Sequence, residues 1–262
     1  KEWAKQVFPE KSEAQAMESL WEAIFCAVRV QDGDAVQAWR EHDALLSEKC
    51  EILNKYQFTE LHYENEDGTD FRVGLVKNHI WEGGSEESGS GVRFIANMPT
   101  EEVFTMPDYR KAEGKVVSSR PLSYRGNLIK DFSMTFHAGK VVDFDAREGY
   151  DALKQLLDTD EGSKSLGEVA LVPYASPISE MGILFYNTLF DENASCHLAL
   201  GECYPTTVQD GEKMNEEELH QICGNHSINH VDFMIGTKDM KITGITEDGK
   251  EIPGFIDGSW AL

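Results

Sequence analysis

No apolar run in this 262-residue chain approaches the ~18 residues that a membrane-spanning helix requires. No helical membrane span is therefore expected. Basic residues are scarce as well, with 24 Lys and Arg against 47 Asp and Glu, a formal charge of −23. A surface of that sign repels nucleic acid and anionic lipid and tolerates cations, metal ions among them. It excludes partners without choosing one. The five cysteines (Cys26, Cys50, Cys196, Cys203 and Cys223) are odd in number and show no CxxC spacing. They read as buried thiols in a reducing cytoplasm. Lys1 opens the chain with neither a methionine nor a basic-then-apolar leader, so the sequence reads as a fragment and not as a mature secreted start.

Several catalytic signatures are missing too. The Gly/Ser/Glu stretch 83–91 lacks GK[ST], and Glu82, Glu86 and Glu87 would repel phosphate, so it reads as a flexible surface loop. There is no G-x-S-x-G elbow, since residues 162–167 (GSKSLG) have the wrong spacing. H-E-x-x-H does not occur. Asp158-Thr159-Asp160 resembles the start of a calcium loop but lacks the third acidic residue and the distal Glu.

What is present is a clear change of periodicity along the chain. Residues 12–30 carry an amphipathic helical pattern opened by Ser12 with Gln15 as a capping box. After Asp32-Gly33-Asp34 a second helix should run to about Tyr56, and the short link implies an antiparallel helical hairpin. Residues 58–63 and 71–76 flank Asn65-Glu66-Asp67-Gly68, a β-hairpin signal. A strand is expected at 92–96 and a meander over 114–144, turning once at His137-Ala138-Gly139. Residues 148–157, a stretch holding Phe185 and Leu189, and residues 215–223 read as helices, and 240–255 as a hairpin turning at Glu247-Asp248-Gly249. Strands in a block with helices at the edges give an α+β fold with a mixed, largely antiparallel sheet, flanking helices and an N-terminal helical hairpin. Residues 1–56 are the helical appendage and residues 57–262 the sheet-bearing domain.

Four segments place metal-ligand residue types in apolar or Gly/Pro-shaped surroundings. In 97–108 (NMPTEEVFTMPD) two prolines bracket Glu101 and Glu102, adjacent carboxylates whose side chains diverge and so have separate jobs. Two buried carboxylates are costly without positive charge nearby, and the alternative is a capping pair at a helix start. Glu168 begins an apolar strand in GEVALVP, where a lone Glu is ordinarily solvated. His197 enters the apolar run of ASCHLALGECY, with Tyr204 seven residues on; a hydrogen-bonded core histidine is its default reading. His230-Val231-Asp232 puts an imidazole and a carboxylate at i and i+2 of a strand, hence on one face. Buried charge needs a partner or a metal, so the triplet is half of a site or half of a salt bridge. Together these segments supply three carboxylates and two imidazoles at strand edges, an inventory that suits two divalent ions bridged by a carboxylate.

NMPTEEVFTMPD, SLGEVALVPYASPIS, LFYNTLFDENASCHLALGECYP, NHSINHVDFMIG and GKEIPGFIDGSWAL, in this order over nearly the whole chain, resemble the thermophilic-metalloprotease family of aminopeptidases. The resemblance implies a homodimeric two-domain protein enclosing a cavity with two divalent metal ions, zinc or cobalt, and peptides as substrates. It also implies an N-terminal domain ahead of the segment that starts at Lys1, leaving the metal-bearing catalytic part here. Carried over by position, the metal ligands are Glu102, Glu168, His197, His230 and Asp232, the choice of Glu102 over Glu101 resting on segment spacing. Glu101 is then the candidate proton shuttle, and Tyr204 the candidate oxyanion donor or an added metal ligand.

Overall fold

Local side-chain chemistry sets the helix starts. In the computed structural model, which describes residues 1–31 and 33–262, a short helix α1 (Glu2–Val7) precedes α2 (Glu13–Ala27). The capping box forms as expected: Ser12 Oγ accepts from Gln15 N, and Gln15 Oε1 accepts from Ser12 N at 3.2 Å. Asp34 caps α3 (Ala35–Tyr56) by accepting from Val36 N and Gln37 N. Of the expected link, Asp32 lies outside the described residues.

The strands then follow as β1 (Glu60–Glu64), β2 (Asp70–Leu75), β3 (Ser85–Glu87), β4 (Arg93–Ile95), β5 (Val103–Thr105) and β6 (Pro107–Val117). After them come β7 (Leu122–Tyr124), β8 (Asn127–His137), β9 (Lys140–Glu148), α4 (Tyr150–Leu157) and β10 (Leu166–Leu171). The remainder is α5 (Pro177–Met181), α6 (Thr188–Glu192), β11 (His197–Gly201), α7 (Glu216–Gln221), β12 (His230–Met234), β13 (Lys241–Ile245), β14 (Glu251–Ile256) and β15 (Ser259–Trp260).

A nine-stranded sheet runs β15-β14-β13-β1-β2-β6-β8-β7 with β9 also paired to β8, and a separate four-stranded sheet runs β12-β11-β10-β5. Every described pairing in both is antiparallel. The α+β, largely antiparallel architecture expected from the sequence is what forms. Leu153 and Leu156 of α4, Leu46 and Leu53 of α3, and the inner faces of both sheets share one core.

Two local expectations differ from the structure. The stretch 83–91 is not a plain loop, since β3 pairs β4 there. Phe185 lies ahead of α6, where its N–H and that of Asn187 are bound by Asp191, while its ring is buried against Phe190. The N-terminal helices bury their stripes in different places: α2 places Ala16, Leu20 and Ala23 against Ile178 and Phe185, whereas α3 joins the main core.

Gly201 closes β11 at a φ of +108°, and a Cβ there would run into Asn229 O. Gly201→Ala should therefore cost about 1–3 kcal/mol, read as a lowered denaturant midpoint; an unchanged midpoint would contradict this close approach.

Candidate metal centre

Strand alternation builds the site. In the four-stranded sheet Glu168 faces Ala199, Ala199 faces Asp232, Ala170 faces His197, and Gly201 faces His230. Cross-strand partners and i, i+2 neighbours share a face. Glu168, His197, His230 and Asp232 thus leave one face, with the small Ala199 between Glu168 and Asp232. The other face carries Val169, Leu198, Leu200 and Phe233 into the core. Glu102 enters beside this face from the residue preceding β5, two positions before Phe104, which pairs with Ala170.

The five residues expected from the sequence converge. Carboxylate and imidazole atoms of Glu102, Glu168 and His197 lie within 4.8 Å of one another, and so do those of Glu168, His230 and Asp232. Glu168 belongs to both groups. His197 Nε2 is 2.9 Å from Glu102 and 3.5 Å from Glu168, and His230 Nε2 is 3.4 Å from Asp232 and 3.8 Å from Glu168. Each imidazole is oriented from behind: Nδ1 of His197 donates to Ser195 O at 3.2 Å, and Nδ1 of His230 donates to Glu202 O at 2.8 Å. A carbonyl only accepts, so both rings present Nε2 to the carboxylates, the arrangement that metal-binding histidines use.

Crowding of like charge shows in the protonation of the cluster. Burial, with the charges of Glu102 and Asp232, pushes the Glu168 carboxyl up to about 7 against the opposing pull of His197. Burial alone would lower His197 and His230, but hydrogen bonds and charge from the carboxylates raise His197 well above 6.5 and His230 to about 9. Burial would raise Asp232, but His230, with His197 and Glu192, outweighs it and lowers the carboxyl. A sixth group was not legible beforehand: Glu192, at the end of α6, is pushed up to about 10 by burial and by the charges of Asp232 and Glu102. Protons hold together what a cation would otherwise hold. Three carboxylates and two Nε2 atoms aimed at shared space fit divalent metal ions by donor type.

Tyr204 stands at the rim, 45% exposed, its ring 4.7 Å from that of His230 and edge-on to Phe104. Burial of the hydroxyl and the charges of Glu168 and Asp232 push it above its ordinary value, so it remains a phenol and a donor. Glu101 takes a different direction from Glu102, as adjacent side chains must. It is 3% exposed, pairs through both oxygens with Arg29 (Nη2 to Oε2 2.7 Å), and falls in neither donor group. Its N–H is bound by Asn193 at 2.7 Å, and His42 Nε2 donates to Thr100 O at 2.7 Å. Residues of α3, of the segment after α2 and of the segment after α6 thereby hold the segment that delivers Glu102. Nothing in the sequence pattern singled out Arg29, His42 or Asn193.

Metal must displace protons from Nε2 of both histidines, so apparent zinc affinity should rise with pH from the neutral range up to about 9, with proton release. Calorimetry in buffers of different ionisation enthalpy reads this, and a pH-independent affinity would exclude these imidazoles as ligands. In the metal-free chain the sign is opposite. The stability that His230 contributes is full below 6.5 and is lost as pH rises through about 9.

The chain is similar to known proteins over nearly its whole length. A family model described as thermophilic metalloprotease (M29) matches residues 1–260. The chain is 54% identical over 260 residues to Aminopeptidase AmpS of Bacillus subtilis, covering 99% of this chain and 63% of that protein. It is 51% identical to Aminopeptidase 2 of Geobacillus stearothermophilus, again with 99% and 63% coverage. The chain thus spans less than two thirds of the length of these relatives. The structure of wild-type AmpT from Thermus thermophilus superposes with a TM-score of 0.91 at 42% identity, covering 99% of this chain and 62% of that one. With its one-faced cluster of carboxylates and imidazoles, the chain belongs to the thermophilic metalloprotease (M29) family.

Proposed function

We propose that this chain bears the active site of a metal-dependent aminopeptidase, which removes N-terminal residues from peptides at a centre of two divalent ions, zinc or cobalt. The observation that carries the reading is Glu168, shared between two donor groups on one sheet face, in a chain whose relatives are named aminopeptidases. Glu102 and His197 would hold one ion, His230 and Asp232 the other, and Glu168 both. When bound, such ions polarise the scissile carbonyl and activate water near neutral pH.

The chain's own groups do the rest. Ser195 O and Glu202 O fix the imidazoles, so Nε2 needs no reorganisation on binding. Tyr204, held as a phenol, donates a hydrogen bond to the developing oxyanion. Glu101 enters as the proton carrier, taking the water proton and passing it to the leaving amine. Because Arg29 holds both of its oxygens, that role requires the pair to open on one side. A carboxylate of the cluster beside the bound metal would read the cationic α-amine of a peptide. Residues 1–56 serve as support and residues 57–262 as the metal-bearing part. Homodimerisation of the full-length protein is included in the proposal. A reducing cytoplasm is the compartment that suits the five free cysteines. Among the described residues no helix is long and apolar enough to cross a membrane.

Metal analysis combined with aminoacyl-anilide hydrolysis tests the reading. H230A combined with D232A should lose metal and turnover together, and full activity in a metal-free double variant would contradict it. Bound metal without turnover in the unaltered chain would instead make this segment a metal- or peptide-binding part that needs the remaining length of its relatives. Tyr204→Phe should lower turnover about 10²-fold with metal retained; unchanged turnover removes it from the mechanism. Glu101→Gln should cost about 10²-fold or more in turnover, also with metal retained. Loss of metal from that variant would assign Glu101 to ligation or support.

A further inference from the structure

Two stretches without a catalytic motif, 158–160 and 162–167, meet the turn 225–229 immediately before His230. Asp160 is the hub. Its Oδ1 accepts from Ser163 N, Ser163 Oγ and Ser227 Oγ, each at 2.8 Å, and its Oδ2 accepts from Ile228 N at 2.8 Å. Ser227 Oγ in turn accepts from Asn229 N at 3.1 Å, and Ser163 Oγ accepts from Asn229 Nδ2 at 2.9 Å. Asn225 Nδ2 bridges Gly162 O at 2.8 Å and Gly201 O at 2.7 Å, tying the same turn to the end of β11. Ser163, Asn225, Ser227 and Asn229 are all buried. A fully satisfied buried polar network is rigid.

The network ends on the metal centre. Asn229 O accepts from Glu202 N at 2.7 Å, and Glu202 O accepts from Nδ1 of His230 at 2.8 Å. Glu202 also binds Ser227 N through its carboxylate. The residue before His230 and the carbonyl that orients its ring are thus held by one cluster. We propose that Asp160 is a positioning residue of the metal centre, fixing the 225–229 turn so that His230 presents Nε2 toward Asp232 and Glu168. The hydrogen bonds to Asp160 outweigh its burial and hold its carboxyl at about 2, so the anion that organises the turn persists throughout the working pH range. The inference rests on His230 being a ligand, and its test separates the two.

Asp160→Asn keeps the size but replaces one acceptor with a donor, so at least one of the backbone N–H groups of Ser163 and Ile228 loses its partner. Zinc binding to the metal-free chain is measured by calorimetry for the unaltered chain, D160N, H230A and the double variant, the Glu102–Glu168–His197 group giving residual binding without His230. D160N should weaken zinc binding about 10–100-fold when His230 is present, and within about 2-fold when it is absent. An equal loss in both backgrounds, or none in either, overturns the proposal, because a general loss of structure does not depend on His230. H230A with unchanged zinc binding would overturn the ligand reading itself and this proposal with it. Ser227→Ala repeats the cycle if D160N does not fold, and the same two patterns decide it.

Discussion

Repulsion among Glu102, Glu168 and Asp232 on one buried face is the constraint on which the site depends. Three carboxylates cannot stay ionised together in a place of low polarity without positive charge between them. The chain supplies two imidazoles from β11 and β12, and the result is a cluster that holds protons well above their usual range. That state is the electrostatic counterpart of a cation site. The sheet's other face, packed with Val169, Leu198, Leu200 and Phe233, anchors the strands against this internal repulsion. A rigid apolar back and a charged front come from the same alternation of residues.

Around this cluster lies support drawn from distant parts of the chain. Carbonyls of Ser195 and Glu202 fix the imidazoles, Arg29 and His42 hold the segment that delivers Glu102, and the Asp160 network holds the turn that delivers His230. The N-terminal helices therefore do more than decorate the sheet. The ion pair of Arg29, in the segment that links α2 to α3, with Glu101 is nearly dry on the Glu101 side, so breaking it leaves a buried carboxylate without its cation, a costly state.

Much of the centre was legible because β-structure writes its faces into sequence. His230 and Asp232 at i and i+2, Glu168 and His197 on apolar strands, and the long shared segments together named all five converging residues. The capping box at Ser12 and the largely antiparallel sheets followed from equally local signals. What stayed hidden depends on contacts between residues far apart in sequence. Ala199 matters as a spacer only once Glu168 and Asp232 flank it, and Arg29 has no meaning without Glu101 opposite. Glu192 ends a five-residue helix, and only the fold brings it beside Asp232 and Glu102. The surface that α2 packs on stayed hidden for the same reason, since no local pattern announces the proximity of Ile178 and Phe185.

Anomalous-scattering crystallography of zinc-loaded crystals tests the central claim most directly. Two separate peaks should appear, one among Glu102, Glu168 and His197 and one among Glu168, His230 and Asp232, with the Glu168 carboxylate reaching both. Peaks away from these residues, or none at saturating zinc, would contradict it.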